Sequence, residues 1–138
     1  MGEKEGRFNA DRYRALLIET GDRAATVLSQ MRGVKKIIRF GPRDRKVVTI
    51  FSDVDLCLLY DGRLRNYDSC IAQGRSLLES HRFQVRGIEG LRVHLEALTE
   101  DEFVESQTLD PRDFRHDRTR RTTIRIAQKV ARGKVLSG

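Results

Sequence analysis

The strongest constraint on this chain is a run of alternating side chains that begins with two carboxylates, over residues 53–60. Successive side chains of an extended strand point to opposite faces. One face then carries Val54, Leu56, Leu58 and Tyr60, and the other carries Asp53, Asp55, Cys57 and Leu59. The turn signal Asp61-Gly62 follows directly. The run therefore predicts a β-strand whose first two acidic side chains lie on the same face.

The segments around this strand predict the element order α, β, β, α, β, β, α. Apolar spacing predicts a first helix near residues 11–31, capped by Asn9 or Asp11, with Gly21 as a possible break and Gly33 after its end. The other predicted elements are strands at 34–40 and 53–60, a helix at 67–80, strands at 83–85 and 91–97, and a last helix at 112–132 ended by Gly133. Thr99 and Glu102 have the spacing of a capping box.

This order predicts an α/β chain of the α+β type. We expect a small, mixed and mainly antiparallel sheet with its helices packed on one face, which leaves the other face for a site. The length of 138 residues suggests one domain over residues 1–138. Within it, residues 1–8 are expected to form a flexible tail, and residues 112–133 a basic C-terminal helix.

Composition narrows the class of protein. No apolar run approaches the ~18 residues that span a membrane, and the charged N-terminal residues lack the apolar block of a signal peptide. Cys57 and Cys70 have neither metal-site nor disulfide-framework spacing, so we expect a cytoplasmic protein. The net charge of +7 favours a polyanionic partner such as a nucleotide, a nucleic acid or an acidic protein, although many basic domains bind none of these.

Asp53 and Asp55 have the chemistry of a magnesium site. Along a strand their Cα atoms lie roughly 6.5–7 Å apart, and both side chains leave the same face. Mg²⁺ prefers oxygen ligands, and it binds proteins through a few carboxylates together with substrate phosphates. Two such carboxylates can share a pair of ions that clamp a phosphoryl group. On its own, an Asp-x-Asp pair is frequent at strand ends and turns.

Gly41 and Pro42 stand ten residues upstream of this pair, at the end of the predicted strand 34–40. A glycine lets a phosphate approach the backbone closely. If a helix begins at Pro42, its N-terminus would offer amides and positive dipole to that phosphate.

At these residues the chain resembles the minimal nucleotidyltransferases of the DNA polymerase β-like superfamily. Their signature is Gly-Ser, ten residues, and Asp-x-Asp; here Gly41-Pro42 is followed by ten residues and Asp53-Val54-Asp55, with Ser52 before the first aspartate. The resemblance covers most of the chain, but only residues 34–60 are specific. It implies a polymerase β-like fold, with Asp53 and Asp55 as ligands of two Mg²⁺ ions and ATP or another nucleoside triphosphate as substrate.

Three departures from the family pattern affect the predicted site. Pro42 replaces the serine and removes both a hydroxyl and an N–H, although proline suits the first position of a helix. A later glycine is missing, and Arg43, Arg45 and Lys46 offer charge in that turn. The third acidic position of the family holds His94, with Glu96 two residues further on and facing the same way. Either one could complete the site, and a histidine could serve as the base.

The resemblance implies transfer of a nucleoside monophosphate, AMP from ATP, to a hydroxyl of a protein, an RNA or a small molecule. The acceptor could be a tyrosine of a helical toxin, which would make this chain the antitoxin of a pair. The alternative is a degenerate domain of the same fold that binds a nucleotide, a protein or RNA without turnover. A basic row with i, i+3 spacing could bind RNA or be a solvated helix face; it comprises Arg112, Arg115, Arg118 and Arg121.

Overall fold

The computed structural model describes residues 9–41, 53–86 and 91–138. Its elements are helix α1 (Ala10–Leu28), strands β1 (Val34–Phe40) and β2 (Val54–Tyr60), helix α2 (Tyr67–Ser80), strand β3 (Val93–Thr99), helix α3 (Glu100–Ser106), a 3-10 turn (Pro111–Phe114), helix α4 (Arg118–Ala131) and strand β4 (Lys134–Ser137). The predicted tail at residues 1–8 lies outside the described residues.

The described strands form one four-stranded mixed sheet in the order β3-β2-β1-β4. Strand β1 pairs antiparallel with both β2 and β4, whereas β2 pairs parallel with β3. The parallel pair is possible because α2 carries the chain back between the two strands, as parallel pairing requires. The predicted α+β class and the mixed, mainly antiparallel sheet are confirmed.

The helices begin where polar side chains cap them. Asn9 accepts a hydrogen bond from the backbone N–H of Arg12, so α1 begins at Ala10. The predicted capping box is present, since Thr99 accepts from the N–H of Glu102 and Glu102 accepts from the N–H of Thr99. Helix α1 runs unbroken through Gly21, whose missing side chain lets the helix approach Val54 of β2. The break considered at Gly21 does not occur.

Helices cover both faces of the sheet, which corrects the expectation that all of them lie on one face. Helices α1 and α2 bury the first face, which presents Val54, Leu56, Leu58 and Tyr60. Helix α4 lies on the second face, where Ala127 and Val130 pack with Ile38, Cys57 and Leu59. Apolar side chains on both sides of β2 explain this arrangement, because each face needs a cover.

The C-terminal third differs from prediction in two ways. The helix predicted at 112–133 is a 3-10 turn followed by the shorter α4, because Asp117 caps a new helix there. The proposed row of arginines is therefore divided: Arg112 pairs with Asp110, and Arg121 donates to the carbonyl of Arg115. After Gly133 the chain forms β4, for which no element was predicted. Gln84 makes a single bridge to Arg92 where a strand was predicted at 83–85.

Candidate active site

A row of charged side chains lies at the start of β2 and β3, on the face that α4 partly covers. Parallel pairing aligns Asp55 with His94 and Cys57 with Glu96. Val54 pairs with Val93, so Asp53 and Arg92 come together just before the two strands. The row comprises Asp53, Asp55, Arg92, His94 and Glu96. The predicted alternation of β2 is confirmed, since Val54 and Leu56 are buried on the opposite face.

Asp53 is held by an arginine that the sequence interpretation did not include in the site. The guanidinium of Arg92 donates from an Nη atom to Oδ2 of Asp53 at 2.6 Å. Both side chains are partly shielded, with 35% of Arg92 and 22% of Asp53 exposed. Arg92 alternates with His94 and Glu96, and that spacing was the one signal that could have placed it with them.

His94 and Glu96 form the second pair of the row. Nε2 of His94 lies 2.8 Å from Oε1 of Glu96. This hydrogen bond raises the pKa of His94; partial burial opposes the effect, and the charges of Glu96, Asp55 and Asp53 add to it. Both candidates for the third position are thus in one hydrogen-bonded pair. The register puts His94, rather than Glu96, directly beside Asp55.

Gly41 lies against the second aspartate. It follows Phe40, which pairs with Asp55 across the antiparallel β1–β2 ladder. Its φ of +115° is one that side-chain-bearing residues rarely adopt, and a Cβ there would lie 3.0 Å from Oδ2 of Asp55. A glycine is therefore needed at this point, and it keeps backbone close to the carboxylate. The predicted nucleotide-binding residues Pro42, Arg43, Arg45, Lys46 and Ser52 lie outside the described residues.

Tyr13, in the first turns of α1, is influenced by the charge of the row. Burial raises the pKa of its phenol, and the negative charge of Asp53 adds to that rise. The effect places this phenol within electrostatic range of Asp53. The sequence interpretation did not place Tyr13 at the site, because helical periodicity does not say which end of a helix meets a site.

The side chains of the row supply only some of the ligands that a metal ion needs. Over residues 9–41, 53–86 and 91–138 there is no group of three or more histidine, cysteine, aspartate or glutamate side chains that could hold a metal ion. Asp53 and Asp55 supply two carboxylates, and one oxygen of Asp53 already accepts from Arg92. A magnesium ion here would need phosphate oxygens to complete its ligands, which is its usual mode with nucleotides.

A cleft of about 600 Å³ begins beside Glu96 and continues between the sheet and α4. Among the described residues that line it, Glu96 and Glu102 contribute carboxylates and Arg118 contributes a guanidinium. The wall formed by α4 offers hydroxyls at Thr119, Thr122 and Thr123, and Tyr60 and Tyr67 add phenol rings. The described lining is largely apolar, with Ala97, Leu98 and Ile126 in it, and its charged side chains are net acidic. Such a lining suits a neutral or cationic group better than a polyphosphate.

Comparison with known families gives a match to the nucleotidyltransferase domain over residues 22–124. The matched segment is well over half of the chain, and it includes every residue of the charged row. No curated protein and no solved structure gave a significant match. None of the described helices is long and apolar enough to cross a membrane.

Proposed function

Since this chain belongs to the nucleotidyltransferase domain family, we propose that it transfers AMP from ATP to an acceptor hydroxyl. The observation that carries this proposal is the pair Asp53 and Asp55 on one face of β2, with Gly41 against Asp55. The acceptor oxygen bonds to the α-phosphorus, the bond from that phosphorus to the bridging oxygen breaks, and pyrophosphate leaves with its electron pair.

Asp53 and Asp55 would hold Mg²⁺ together with the phosphates. When bound, the ion neutralises charge on the phosphates and on the leaving pyrophosphate. Gly41 leaves room for phosphate oxygens beside Asp55, and the turn with Pro42, Arg43, Arg45, Lys46 and Ser52 would complete nucleotide binding. These roles rest on the family pattern and on the order of the residues along the chain.

His94 would take the proton of the acceptor hydroxyl. When Nε2 donates to Glu96, the lone pair of the neutral ring lies on Nδ1, which can accept that proton. Glu96 then stabilises the imidazolium that forms, as its effect on the pKa of His94 indicates. Glu96 is a positioning residue in this assignment.

The acceptor would reach the row through the cleft beside Glu96. The acidic lining favours a hydroxyl on a neutral or cationic group, either a protein side chain or a small molecule, over an RNA end. A tyrosine of a helical toxin protein fits this description, and such a partner would make the chain an antitoxin that acts in the cytoplasm. A neighbouring reading frame that encodes a small helical protein would support this partner.

A second candidate function is nucleotide binding without turnover. The specific observation in its favour is the ion pair that Arg92 makes with Asp53, where a metal-binding carboxylate would be expected to be open. His94 at the position of the third acidic residue points the same way.

Labelled ATP distinguishes the two functions. The protein is incubated with α-labelled ATP, Mg²⁺ and a lysate, and label transfer is compared with that of Asp53→Asn and Asp55→Asn. We expect both variants to lose at least about 100-fold in transfer rate. Asp110→Asn is the matched control, because Asp110 also pairs with an arginine but lies outside the row.

The outcome assigns the function. Transfer by the wild type and by Asp110→Asn alone supports the enzyme. Magnesium-dependent ATP binding by calorimetry, without transfer to any component, supports the binding module. Transfer that persists unchanged in Asp53→Asn and Asp55→Asn would contradict the proposed site.

A further inference from the structure

The net charge of the chain is concentrated in helix α4 and the residues that follow it. Of the 27 basic side chains, seven lie within residues 118–134, and that segment has no acidic side chain. The other 20 basic side chains equal the 20 acidic side chains in number, so the net charge of +7 belongs to this segment. Charge concentrated in this way indicates a surface that attracts a polyanion.

Four of these cations form a stripe along the outer face of α4. They are seven, four and three residues apart, so at 3.6 residues per turn they lie on one side of the helix, over a length of about 21 Å. All four are exposed, and the buried side chains of α4 lie on the opposite side. The stripe comprises Arg118, Arg125, Lys129 and Arg132.

The stripe is not neutralised within the part of the chain that the structure describes. None of its four side chains makes an ion pair or a hydrogen bond with a described residue, whereas Arg92 and Arg112 are each paired with an aspartate. Arg125, Lys129 and Arg132 follow one another at i, i+4 and i+3 spacing, where like charges repel and destabilise a helix.

The first turn of α4 also has the unfavourable charge for its position. Negative side chains are stabilising near the N-terminus of a helix, and α1, α2 and α3 each have at least one acidic side chain in the first turn. Helix α4 has none there and begins instead with Arg118, Arg120 and Arg121. Its charges therefore oppose the stability of the isolated helix, and they become favourable only when anions lie against it.

The side chains of the stripe favour a nucleic acid over a protein as that anion. Protein interfaces are anchored by buried aromatic and apolar side chains. Between the cations the stripe has Thr122, and no residue of α4 is aromatic. Single-stranded nucleic acids also need aromatic rings on which their bases stack. A duplex, which is bound through its phosphates, needs only the cations.

The neighbours of α4 limit which duplex fits. Gln128 donates to the carbonyls of Ser106 and Leu109, and Gln107 donates to the carbonyl of Ala127, so α3 and the loop after it lie alongside α4. A helix flanked in this way cannot enter the major groove of B-DNA, which is about 12 Å wide. It can lie on the wide, shallow minor groove of A-form RNA and contact the phosphates that border it.

We propose that the outer face of α4 is a docking surface for the phosphate backbone of double-stranded RNA, which it binds without sequence preference. The surface does not depend on the proposed function, because none of its contacts involves the charged row. The RNA is a partner here and not the acceptor, since the net acidic charge of the cleft disfavours an RNA end.

The salt dependence of binding tests the proposal. A labelled RNA duplex of about 16 base pairs is titrated with the protein, and fluorescence anisotropy is measured at several salt concentrations. Four phosphate contacts predict a slope of about −3.6 for log K against log salt concentration. Arg125→Gln combined with Lys129→Gln should lower the magnitude of that slope by about 2 and weaken binding at low salt by at least about tenfold.

These substitutions are chosen to preserve the fold and the cleft. Glutamine has nearly the helix propensity of arginine and lysine, and Arg118 is kept because it also lines the cleft. Arg12→Gln combined with Arg32→Gln is the matched control, since it removes the same charge from exposed positions outside α4. Circular dichroism establishes that each variant is folded, and Lys129→Gln alone replaces the first double variant if it is not.

The results assign the surface without any measurement of nucleotidyl transfer. Weaker binding by the α4 variant than by the control variant supports the proposal. Equal affinities of the two variants, or no binding of the RNA duplex by the wild type at low salt, would overturn it.

Three further polyanions test the identity of the partner. A DNA duplex of the same sequence, single-stranded RNA and polyglutamate are titrated under the same conditions, and we expect the RNA duplex to bind most tightly. Equal or tighter binding of the DNA duplex or of the single strand would overturn the choice of double-stranded RNA. Equal or tighter binding of polyglutamate would assign the surface to an acidic protein instead.

Discussion

At the scale of single residues, the charged row places acidic and basic side chains next to each other: Asp53 with Arg92, and Glu96 with His94. Arg92 neutralises part of the charge that Asp53 and Asp55 bring together, and His94 gains a proton more readily because Glu96 lies next to it. Mutual repulsion of the two aspartates is a cost of the site that Arg92 offsets. The chemistry of each of these side chains therefore depends on the charged side chain that it is paired with.

Gly41→Ala tests the contact between β1 and Asp55. The added methyl would require a strained φ and would press on Oδ2 of Asp55, so we expect loss of magnesium-dependent ATP binding by calorimetry. Gly33→Ala is a matched control, because Gly33 also has a positive φ but meets Leu64 and Arg65 instead. Both variants should lose about 1–2 kcal/mol of stability. Equal ATP affinity in the two would contradict a role for Gly41 at the site.

His94→Gln tests the pair that His94 makes with Glu96. The folded-state pKa of His94 is raised, so its contribution to stability is fully present below the unfolded pKa of about 6.5 and is lost as the pH rises through the folded value. Urea unfolding should therefore show a larger loss of stability for His94→Gln at about pH 6 than at about pH 9. His116→Gln, at an exposed position, controls for removal of an imidazole. A loss that is equal at both pH values would contradict the pairing.

At the scale of elements, the parallel β2–β3 pair and helix α4 have separate roles. The pair aligns the two halves of the charged row, and α4 seals the apolar end of the same face with Ile124, Ala127 and Val130. The junction between α4 and β4 lies close to the backbone of β1. A Cβ on Gly133 would lie 2.3 Å from the backbone oxygen of Arg39. The absence of a side chain at Gly133 therefore lets the chain turn from α4 directly into the fourth strand.

Gly133→Ala tests this junction. Backbone cannot move aside as a flexible side chain can, so we expect a loss of roughly 1–3 kcal/mol in the free energy of unfolding, measured with urea. Gly21→Ala is the comparison, because its Cβ would meet the Val54 side chain at 3.3 Å and because alanine favours a helix by about 1 kcal/mol. That variant should be neutral or more stable. A Gly133→Ala protein as stable as the wild type would contradict the close approach.

At the scale of the whole molecule, the described residues bury apolar side chains on both sides of the sheet, and both cysteines lie in that interior. Cys57 and Cys70 are fully buried, with 0% exposure each. Burial raises the pKa of both thiols, so neither forms thiolate readily in the folded state. Their reactivity should therefore report on global opening of the fold.

A thiol reagent tests this burial. We expect almost no reaction of the native protein with a chromogenic disulfide, and reaction of both cysteines in concentrated guanidinium chloride. The single variants Cys57→Ser and Cys70→Ser assign the signal to each position. Rapid reaction of either thiol under native conditions would show that the fold opens locally, at β2 for Cys57 or at α2 for Cys70, which the buried positions of both residues argue against.

Local sequence patterns were enough to predict several elements and part of the candidate site. Alternation over residues 53–60 predicted β2 and its two faces, and the apolar run at 34–40 predicted β1, which ends just before Gly41. The capping box at Thr99 was also predictable, because a cap is made within four residues. Strand β4 escaped prediction because it is four residues long and gains its stability only from pairing with β1.

The sequence by itself predicted four of the five residues of the charged row, whereas the tertiary structure decided how their side chains are paired. The common face of Asp53 and Asp55 was predictable because alternation is a local property of a strand, and the resemblance to the family pattern pointed to His94 and Glu96. The ion pair between Arg92 and Asp53, and the position of His94 beside Asp55, depend on the register of two strands separated by α2. Register is set by burial of apolar side chains on both faces, and only the assembled sheet contains that information.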